Sequence, residues 1–350
     1  MRHLTRLPRY LCASYLLLTL YVGLHPFAGW ADSGVSPLAF ITEPWQKYIS
    51  RPDVWLNIAG FMPFGFTLAA CLLGKAKPGR VVLGVMLVSF ALSFLIEFTQ
   101  NWLPGRISSN LDLATNVLGG ALGAFAGLRW GAIFAEDGLI QRWRSRQVLS
   151  GHIGEVGLLL IALWWLSQLE PTSLLFGAGD LRALFDLPAP MAFSPRRYVL
   201  LETAAVASST LALGLLLQRC LREPSIWFLP VVLLVGLALR SVSNTLFLTP
   251  SDPLQWATPG ALRGLLLGGV LLLVVGRLPR WSRHALVSLT LLLSTALVNL
   301  APDNPFIDAS VRTVQQGHFL NFYGLTQLAT VLWPFLALAW LSAQAAVRRW

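Results

Sequence analysis

Long apolar runs separated by short polar connections extend along the whole chain. Ten of these runs approach the roughly 20 residues that a helix needs to cross the hydrocarbon core of a bilayer. They lie near residues 10–25, 54–74, 80–100, 111–130, 152–169, 198–218, 225–247, 258–276, 284–301 and 323–344. The pattern predicts an all-α, polytopic bundle of about ten transmembrane helices.

The connections between the runs alternate in charge. Basic residues precede the first run and follow every second run after it: Arg2, Arg6, Arg9, then Lys75, Lys77, Arg80, then Arg142, Arg144, Arg146, then Arg219, Arg222, then Arg277, Arg280, Arg283, and finally Arg348, Arg349. The other connections contain acids: Asp32, Glu43, Asp180, Asp186, Asp303 and Asp308. Because cytoplasmic loops are rich in Lys and Arg, we expect both termini in the cytoplasm.

The composition supports the membrane class. Of the residues, 55% are apolar and only 12% are charged, whereas a soluble domain has about 25% charged residues. A net charge of +10 in a soluble protein would suggest a nucleic-acid partner. Here the cations flank apolar runs, which suits anionic lipid head groups, so membrane lipids are the expected partners and nucleic acid is not.

Motifs of soluble enzymes are absent from the sequence. The three cysteines form no CxxC pair, the five histidines are scattered, and no HExxH, GxSxG or P-loop pattern occurs. We therefore expect no metal site, no cofactor and no catalytic residue of these standard types.

Two parts of the chain align when one is shifted by 145 residues. Leu24-His25-Pro26 then falls on Leu169-Glu170-Pro171, Phe40 on Phe185, and Gly119 and Gly123 on Gly264 and Gly268. Runs one to four map onto runs five to eight, which predicts two parallel four-span repeats followed by two further spans. Identity between the copies is low, and a chance alignment of apolar segments is the alternative.

The repeat predicts the domain organisation. We expect a four-span unit at 1–131, a basic cytoplasmic linker at 132–150, a degenerate second unit at 151–277 and two more helices at 278–350. The first run, with its arginines and the following Gly29-Trp30-Ala31, also resembles a cleavable secretory signal. Since the repeat equates that run with the fifth, which no signal peptidase would remove, we expect it to be retained.

Residues 91–123 place polar and charged side chains in an apolar background. Glu97 and Gln100 are three residues apart at the end of one run, and Asp112 and Asn116 are four apart at the start of the next. Each pair shares a helix face, so the two faces should meet at the outer end of one helical hairpin. Ionisable groups at membrane depth are costly and by default indicate a functional site.

Asn57 and Arg106 extend this predicted polar cluster, with Arg106 as the leading ion-pair partner of Glu97. The second copy has lost most of the cluster, since Asn57, Arg106, Asp112 and Asn116 correspond to Glu202, Ser251, Ala257 and Ala261. Function is therefore expected in the first unit. In the structural alternative, the side chains of Asn57, Gln100 and Asn116 only form hydrogen bonds between helices, each worth about 0.6 kcal/mol. In the same view, Arg106 is a solvated or lipid-level anchor and Asp112 an N-cap.

Small residues predict a close helix contact beside the cluster. Gly119 and Gly123, with Gly120 between them, form a small-xxx-small surface that admits a neighbouring backbone. Pro63 and Gly65 interrupt the second run. A proline there frees a backbone carbonyl that needs another partner, so the side chain of Asn57 either supplies that contact or joins the Glu97 cluster.

The order of these residues resembles the VanZ-like family of bacterial membrane proteins. The matching elements are Asn57, Pro63-Phe64-Gly65, Ile96-Glu97-Phe98-Thr99-Gln100, Pro104-Gly105-Arg106, Asp112 and Thr115-Asn116-Val117-Leu118-Gly119-Gly120. The family pattern is an Asn followed by Pro-x-Gly, Ile-Glu-x-x-Gln, Gly-Arg and Asp-x-x-x-Asn-x-x-Gly. The resemblance covers roughly residues 10–130, and the family's minimal four-span form has no counterpart to the rest of this chain.

The resemblance implies a multi-pass protein of the bacterial inner membrane with a role in the cell envelope. The family's namesake is associated with resistance to the glycopeptide teicoplanin, and longer relatives are found near extracellular polysaccharide systems. A protein that binds or translocates a lipid-linked or polysaccharide-related component is the expected function. Two alternatives are a membrane enzyme with Glu97 and Asp112 as acid and base, and a structural scaffold, as a homo-oligomer or with an envelope partner.

Overall fold

The regular secondary structure of the described residues is entirely helical. The computed structural model describes residues 7–44 except 26 and 28, 51–103, 106–134, 138, 142–143, 146–149, 151–222 except 186, 228–248, 252–305 and 320–347. In these segments there is no β-strand, and an isolated bridge joins Val148 and Leu221. The predicted all-α class is confirmed.

The helices follow the predicted apolar runs. They are α1 (Leu7–Leu24), α2 (Ala39–Thr42), α3 (Arg51–Leu72), α4 (Pro78–Gln100), α5 (Asn110–Trp130), α6 (His152–Ser167), α7 (Leu181–Phe185), α8 (Pro195–Cys220), α9 (Phe228–Phe247), α10 (Pro259–Val275), α11 (Arg280–Leu300) and α12 (Leu320–Val347). The short helices α2 and α7 lie in the connections after α1 and α6, and a 3₁₀ turn at Gly131–Phe134 follows α5.

Within the described residues, eight helices are long and apolar enough to cross a membrane. They are α1, α3, α4, α5, α8, α9, α11 and α12. The other two predicted spans form the shorter apolar helices α6 and α10, of 16 and 17 residues. The chain thus has the helices of a multi-pass membrane protein, while the count of ten spans and the orientation stay predictions.

The chain divides into two compact units, residues 1–144 and 145–350. The boundary falls inside the segment 132–150 that the sequence predicts to be a basic linker. The finer division into four parts is a prediction that the two units do not test.

Unit 1 is built around a backbone-to-backbone contact between α3 and α5. A Cβ atom at Gly119 would overlap the carbonyl of Ile58, and one at Gly123 would overlap that of Met62. Gly120 differs, since it faces the Ser89 side chain of α4. The helix that packs closely against the predicted small-residue surface of α5 is therefore chiefly α3.

Pro63 lies inside α3 and is exposed, as expected for a proline that interrupts a helix. A proline at this position leaves the carbonyl of Ala59 without its helical donor. The hydroxyl of Tyr15 on α1 donates to the adjacent carbonyl of Gly60 at 2.8 Å. Asn57 hydrogen-bonds elsewhere, to Asp112. A side chain from α1 thus contacts α3 beside the interrupted hydrogen bond.

Unit 2 has α8 at its centre, with a nearly continuous buried stretch from Ala205 to Leu217. Its contact with α10 again involves glycines. Gly264 lies against the carbonyl of Thr203, and Gly268 lies against that of Ala207. The contact between α8 and α10 thus also sets glycines against carbonyls, although the side chains of Val206 and Thr210 lie equally close here.

Candidate functional site

The polar residues predicted from the sequence converge at one end of unit 1. This end combines the C-terminal ends of α1 and α4 with the N-terminal parts of α3 and α5. The cluster comprises Asn57, Glu97, Gln100, Arg106, Asp112 and Asn116, and we refer to these six residues as the polar cluster. Pro104 and Gly105, which belong to the sequence motif, lie outside the described residues.

Glu97 fixes the connection between α4 and α5. Its side chain is only 3% exposed, and its Oε2 accepts a hydrogen bond from the backbone amide of Ser109 at 2.8 Å. Its backbone carbonyl accepts a second one from the hydroxyl of Ser108 at 2.6 Å. The buried carboxyl group therefore bonds to a backbone donor at the start of α5, where the sequence had suggested Arg106.

Ser109 is the N-cap residue of α5. Its hydroxyl accepts hydrogen bonds from the amides of Leu111 and Asp112, two of the donors that a helix start leaves without partners. The alternative interpretation of Asp112 as the N-cap is therefore wrong. The carboxylate of Asp112 lies in the first turn of α5, where the helix dipole favours negative charge, and accepts from Asn57 Nδ2 at 2.8 Å.

Arg106 contacts the C-terminal end of α1. Its Nη2 donates to the backbone carbonyls of Val22 at 3.3 Å and His25 at 3.5 Å. Burial lowers the pKa of Arg106, and the negative charges of Glu97 and Asp112 oppose that shift. Burial, together with the Arg106 charge, also lowers the pKa of His25. The arginine thus lies within electrostatic range of both carboxyl groups while its hydrogen bonds go to α1.

Gln100 and Asn116 each join two helices. Gln100 Nε2 donates to the carbonyl of Gly23 at 2.7 Å and connects α4 to α1. Asn116 Nδ2 donates to the hydroxyl of Ser93 at 3.0 Å and connects α5 to α4. The Oδ1 atom of Asn116 is buried and has no hydrogen-bond partner in the described residues. Both side chains have the contacts expected of interhelical hydrogen bonds.

Comparison with known proteins identifies the part of the chain that carries this cluster. Residues 11–131 match the family model described as VanZ/LLP1. Over these residues unit 1 is similar to the VanZ/LLP1 family, and we refer to it as the VanZ-like unit. The match spans a little over a third of the chain and confirms the resemblance predicted for residues 10–130. Comparisons with curated proteins and with solved structures give no match.

The VanZ-like unit also contains site residues that the sequence reasoning missed. Ser93, Ser108 and Ser109 hydrogen-bond to three members of the polar cluster or to their backbones. A signal for Ser109 exists, since Ser-x-x-Asp before an apolar run is typical of a helix start. Ser93 and Ser108 carry no comparable signal.

The connection after α1 is attached to the polar end of the VanZ-like unit. The amide of Ala31 donates to the carbonyl of Trp102 at 3.0 Å, and Asn101 Nδ2 donates to the carbonyl of Val35 at 3.2 Å. Asn110 Nδ2 donates to the carbonyl of Glu43 at 2.7 Å. These bonds place residues 31–43 beside the end of α4 and the start of α5, next to the polar cluster.

In the described segments no group of three or more His, Cys, Asp or Glu side chains is arranged to hold a metal ion. The polar cluster itself offers one guanidinium, two carboxyl groups and three amides. Such groups can bind an anion and hydroxyl groups through hydrogen bonds.

Unit 2 has a polar contact at the position that corresponds to Asn57 and Asp112. Glu202, which is 145 residues after Asn57, accepts at Oε1 from the hydroxyl of Thr258 at 2.7 Å. Thr258 is the N-cap of α10 and accepts from the amide of Ala261. A polar side chain of α8 therefore meets the start of α10, as Asn57 of α3 meets the first turn of α5.

Arg240 of α9 binds the turn that follows α6. Its guanidinium donates to the carbonyls of Glu170, Pro171 and Ser173 and is only 4% exposed. The Glu170 carboxyl group accepts hydrogen bonds from Thr172 and Thr326. Burial raises the pKa of Glu170, and these hydrogen bonds and the Arg240 charge oppose the shift. Unit 2 thus has a buried polar cluster of its own, formed by Arg240 and Glu170 with their hydrogen-bond partners.

The role of Ser109 can be tested by substitution. We expect Ser109→Ala to lower the free energy of unfolding by about 1 kcal/mol, because two amides of α5 lose their acceptor. Thermal unfolding of the purified protein in detergent measures the effect. The control is Ser342→Ala, whose exposed hydroxyl donates only within its own helix. Equal melting temperatures for the two variants would contradict the capping role.

Proposed function

We propose that the VanZ-like unit binds an amphiphilic component of the bacterial envelope through an anionic head group such as a lipid-linked phosphate. The observation that carries this proposal is the partial exposure of Arg106 together with its hydrogen-bonding pattern. Its side chain is partly exposed, and both of its hydrogen bonds in the described part of the chain use Nη2. Among the described residues no acceptor bonds to Nε or Nη1, and a guanidinium matches the geometry of phosphate oxygens.

The neighbours of Arg106 suit the rest of such a head group. Asn57 and Asp112 are partly exposed and offer an amide and a carboxylate to hydroxyl groups, as a sugar would require. Glu97 is buried and occupied by the Ser109 amide, so its role in this proposal is to position Ser109 and, through it, Asp112. The ligand-binding groups are then Arg106, Asp112 and Asn57.

The same observations rank the alternatives. Acid–base catalysis by Glu97 and Asp112 requires both carboxyl groups to reach a substrate. Glu97 lies beneath the start of α5 and its Oε2 is bonded to a backbone amide, which disfavours that role. A purely structural cluster would leave little reason for a partly exposed arginine with spare donors. Binding, with translocation as its extension, is therefore the proposed function.

We infer that the polar cluster faces the outer side of the inner membrane. The cations Lys75 and Lys77 lie between α3 and α4, and Arg80 lies in the first turn of α4, at the opposite end of that helix from Glu97. The positive-inside rule assigns that basic end to the cytoplasm. The polar cluster then lies where lipid-linked envelope precursors are used.

We further infer that the two units arose by duplication. The glycine contacts support this, because Gly119 meets Ile58 and Gly123 meets Met62, and each pair recurs 145 residues later. The recurring pairs are Gly264 with Thr203 and Gly268 with Ala207. A chance alignment of apolar segments gives no reason for the same glycine-to-carbonyl contacts, so duplication is favoured.

The proposed function predicts a specific loss of binding in Arg106→Gln. The probe is farnesyl diphosphate, with farnesol as the matched ligand that lacks phosphate, and binding to the full chain in detergent is measured by thermophoresis. We expect the diphosphate to bind and farnesol not to bind. A hydrogen bond to a charged group is worth about 1.5–3 kcal/mol, so Arg106→Gln should weaken the affinity at least roughly tenfold.

The control for this experiment is Arg197→Gln, which removes one exposed arginine near the start of α8. It should leave the affinity for farnesyl diphosphate unchanged. Equal affinity for the diphosphate and for farnesol would refute the anionic head-group site. Unaltered binding by Arg106→Gln, with normal membrane abundance, would refute the role of Arg106.

A further inference from the structure

A groove lies between α4 and α5 of the VanZ-like unit, far from the polar cluster along both helices. It has a volume of about 420 Å³ and is lined by Pro78, Gly79, Val82, Leu83, Met86, Phe125 and Leu128. None of these residues carries a charge or a hydroxyl group. Leu83 and Phe125 are 57% and 60% exposed, so the groove is open along its side.

The length of the groove matches one leaflet of a membrane. From Pro78 to Met86 the axis of α4 rises about 12 Å, at about 1.5 Å per residue. One half of the hydrocarbon core of a bilayer is about 15 Å thick. An extended acyl chain that lies along α4 can therefore fill the groove within a single leaflet.

One end of the groove is strongly basic. Lys77 and Arg80 flank the lining residues Pro78 and Gly79, and Arg129 follows Leu128; all three cations are exposed. The segments 73–80 and 128–134 together contain Lys75 as a fourth cation and no acidic residue. Basic residues beside apolar surfaces between transmembrane helices attract anionic lipid head groups.

We propose that this groove binds one acyl chain of an anionic glycerophospholipid, with its phosphate among Lys77, Arg80 and Arg129. Charge favours an anionic lipid over a second copy of the chain, because the cations of a second copy would repel those at the basic end of the groove. The site is separate from the polar cluster, since Pro78 and Glu97 lie at opposite ends of α4. It would anchor the VanZ-like unit in a leaflet that contains anionic lipid.

The charged end is tested with the full-length chain purified in detergent. Retention of phosphatidylglycerol is compared with that of phosphatidylcholine of the same acyl composition, by native mass spectrometry. The double variant Lys77→Gln/Arg80→Gln should weaken phosphatidylglycerol binding about thirtyfold, since each cation contributes a factor of about five. Phosphatidylcholine binding should not change.

The control for charge is Arg196→Gln/Arg197→Gln, which removes two exposed arginines near the start of α8. This pair should leave phosphatidylglycerol retention unchanged. An equal loss in the Arg196/Arg197 control would overturn the proposal, because binding would then follow the overall charge of the protein. Equal retention of the two phospholipids by the unaltered chain would overturn it as well.

The groove itself is tested with Gly79→Leu. A Cβ atom at Gly79 meets nothing within 4 Å, so the side chain can enter the groove without displacing the backbone. We expect at least a roughly tenfold loss of phosphatidylglycerol binding with an unchanged melting temperature. Gly269→Leu in α10, where a Cβ also meets nothing within 4 Å, is the control. If Gly79→Leu retains phosphatidylglycerol fully, surface charge alone holds the lipid, and the proposal that its acyl chain lies in the groove is wrong.

Discussion

The variant Gly123→Ala is expected to disrupt the VanZ-like unit, with a loss of about 3 kcal/mol in the free energy of unfolding. The new Cβ would overlap the carbonyl of Met62 and lie 2.8 Å from the amide nitrogen of Phe66. Both obstacles are backbone atoms of α3, which a rotamer change cannot move. The helices α3 and α5 would have to separate, and their hydrogen bond between Asn57 and Asp112 would weaken with them.

The matched control is Gly84→Ala in α4, where a Cβ meets nothing within 4 Å. Alanine is favoured over glycine in a helix interior by about 0.5–1 kcal/mol, so this variant should be neutral or slightly more stable. Thermal unfolding in detergent and membrane abundance measure both variants. If Gly123→Ala melts at the same temperature as Gly84→Ala, the close contact between α3 and α5 is not a determinant of stability.

In unit 2, Arg240→Leu should reduce the free energy of unfolding by about 3–5 kcal/mol. The substitution removes the donors that serve the carbonyls of Glu170, Pro171 and Ser173 and leaves these groups buried without partners. It also removes the positive charge near the carboxyl group of Glu170, which is buried. Calorimetry or denaturant unfolding of the purified protein measures the loss.

Arg263→Leu provides the comparison for Arg240→Leu, because Arg263 is exposed on α10. Surface substitutions change the free energy of unfolding by about 0.5 kcal/mol or less. If the two substitutions lower the free energy of unfolding equally, the hydrogen bonds of Arg240 to the buried carbonyls do not stabilise the protein as we expect.

The sequence predicts the helices well because each must be apolar over the thickness of a membrane. Two predicted spans, near 152–169 and 258–276, form helices of 16 and 17 residues, which fall below a full membrane crossing. In α6 the helix ends at Ser167 because Gln168 and Glu170 enter a turn with backbone hydrogen bonds to Trp165 and Ser167. A hydropathy pattern does not detect such a stop, since Leu169 continues the apolar run.

The members of the polar cluster were predictable, whereas their partners were not. Helical spacing places Glu97 with Gln100 and Asp112 with Asn116 on shared faces, and the hairpin brings these faces to one end. However, Glu97 bonds to the amide of Ser109, and Arg106 bonds to carbonyls of α1. Backbone donors and acceptors are present at almost every residue, so no side-chain pattern indicates which of them is used.

A similar limit applies to the comparison of the two units. The position that corresponds to Arg106 is a serine, which suggests that the second unit has lost this arginine. In unit 2 a guanidinium nevertheless contacts the turn that follows α6, supplied by Arg240 from a different helix. A comparison of equal positions cannot find a group that comes from another part of the fold.

The glycine contact between α3 and α5 has a consequence for the mechanics of the polar cluster. Without intervening side chains, these two helices have little freedom to slide or tilt, so Asn57 and Asp112 keep a fixed separation. Arg106 is held by longer hydrogen bonds of 3.3 and 3.5 Å, and it can reorient at small cost. Asn57 and Asp112 thus form a rigid half of the polar cluster, and Arg106 forms an adjustable half. Such an arrangement would suit ligands that share one chemical group and differ in another.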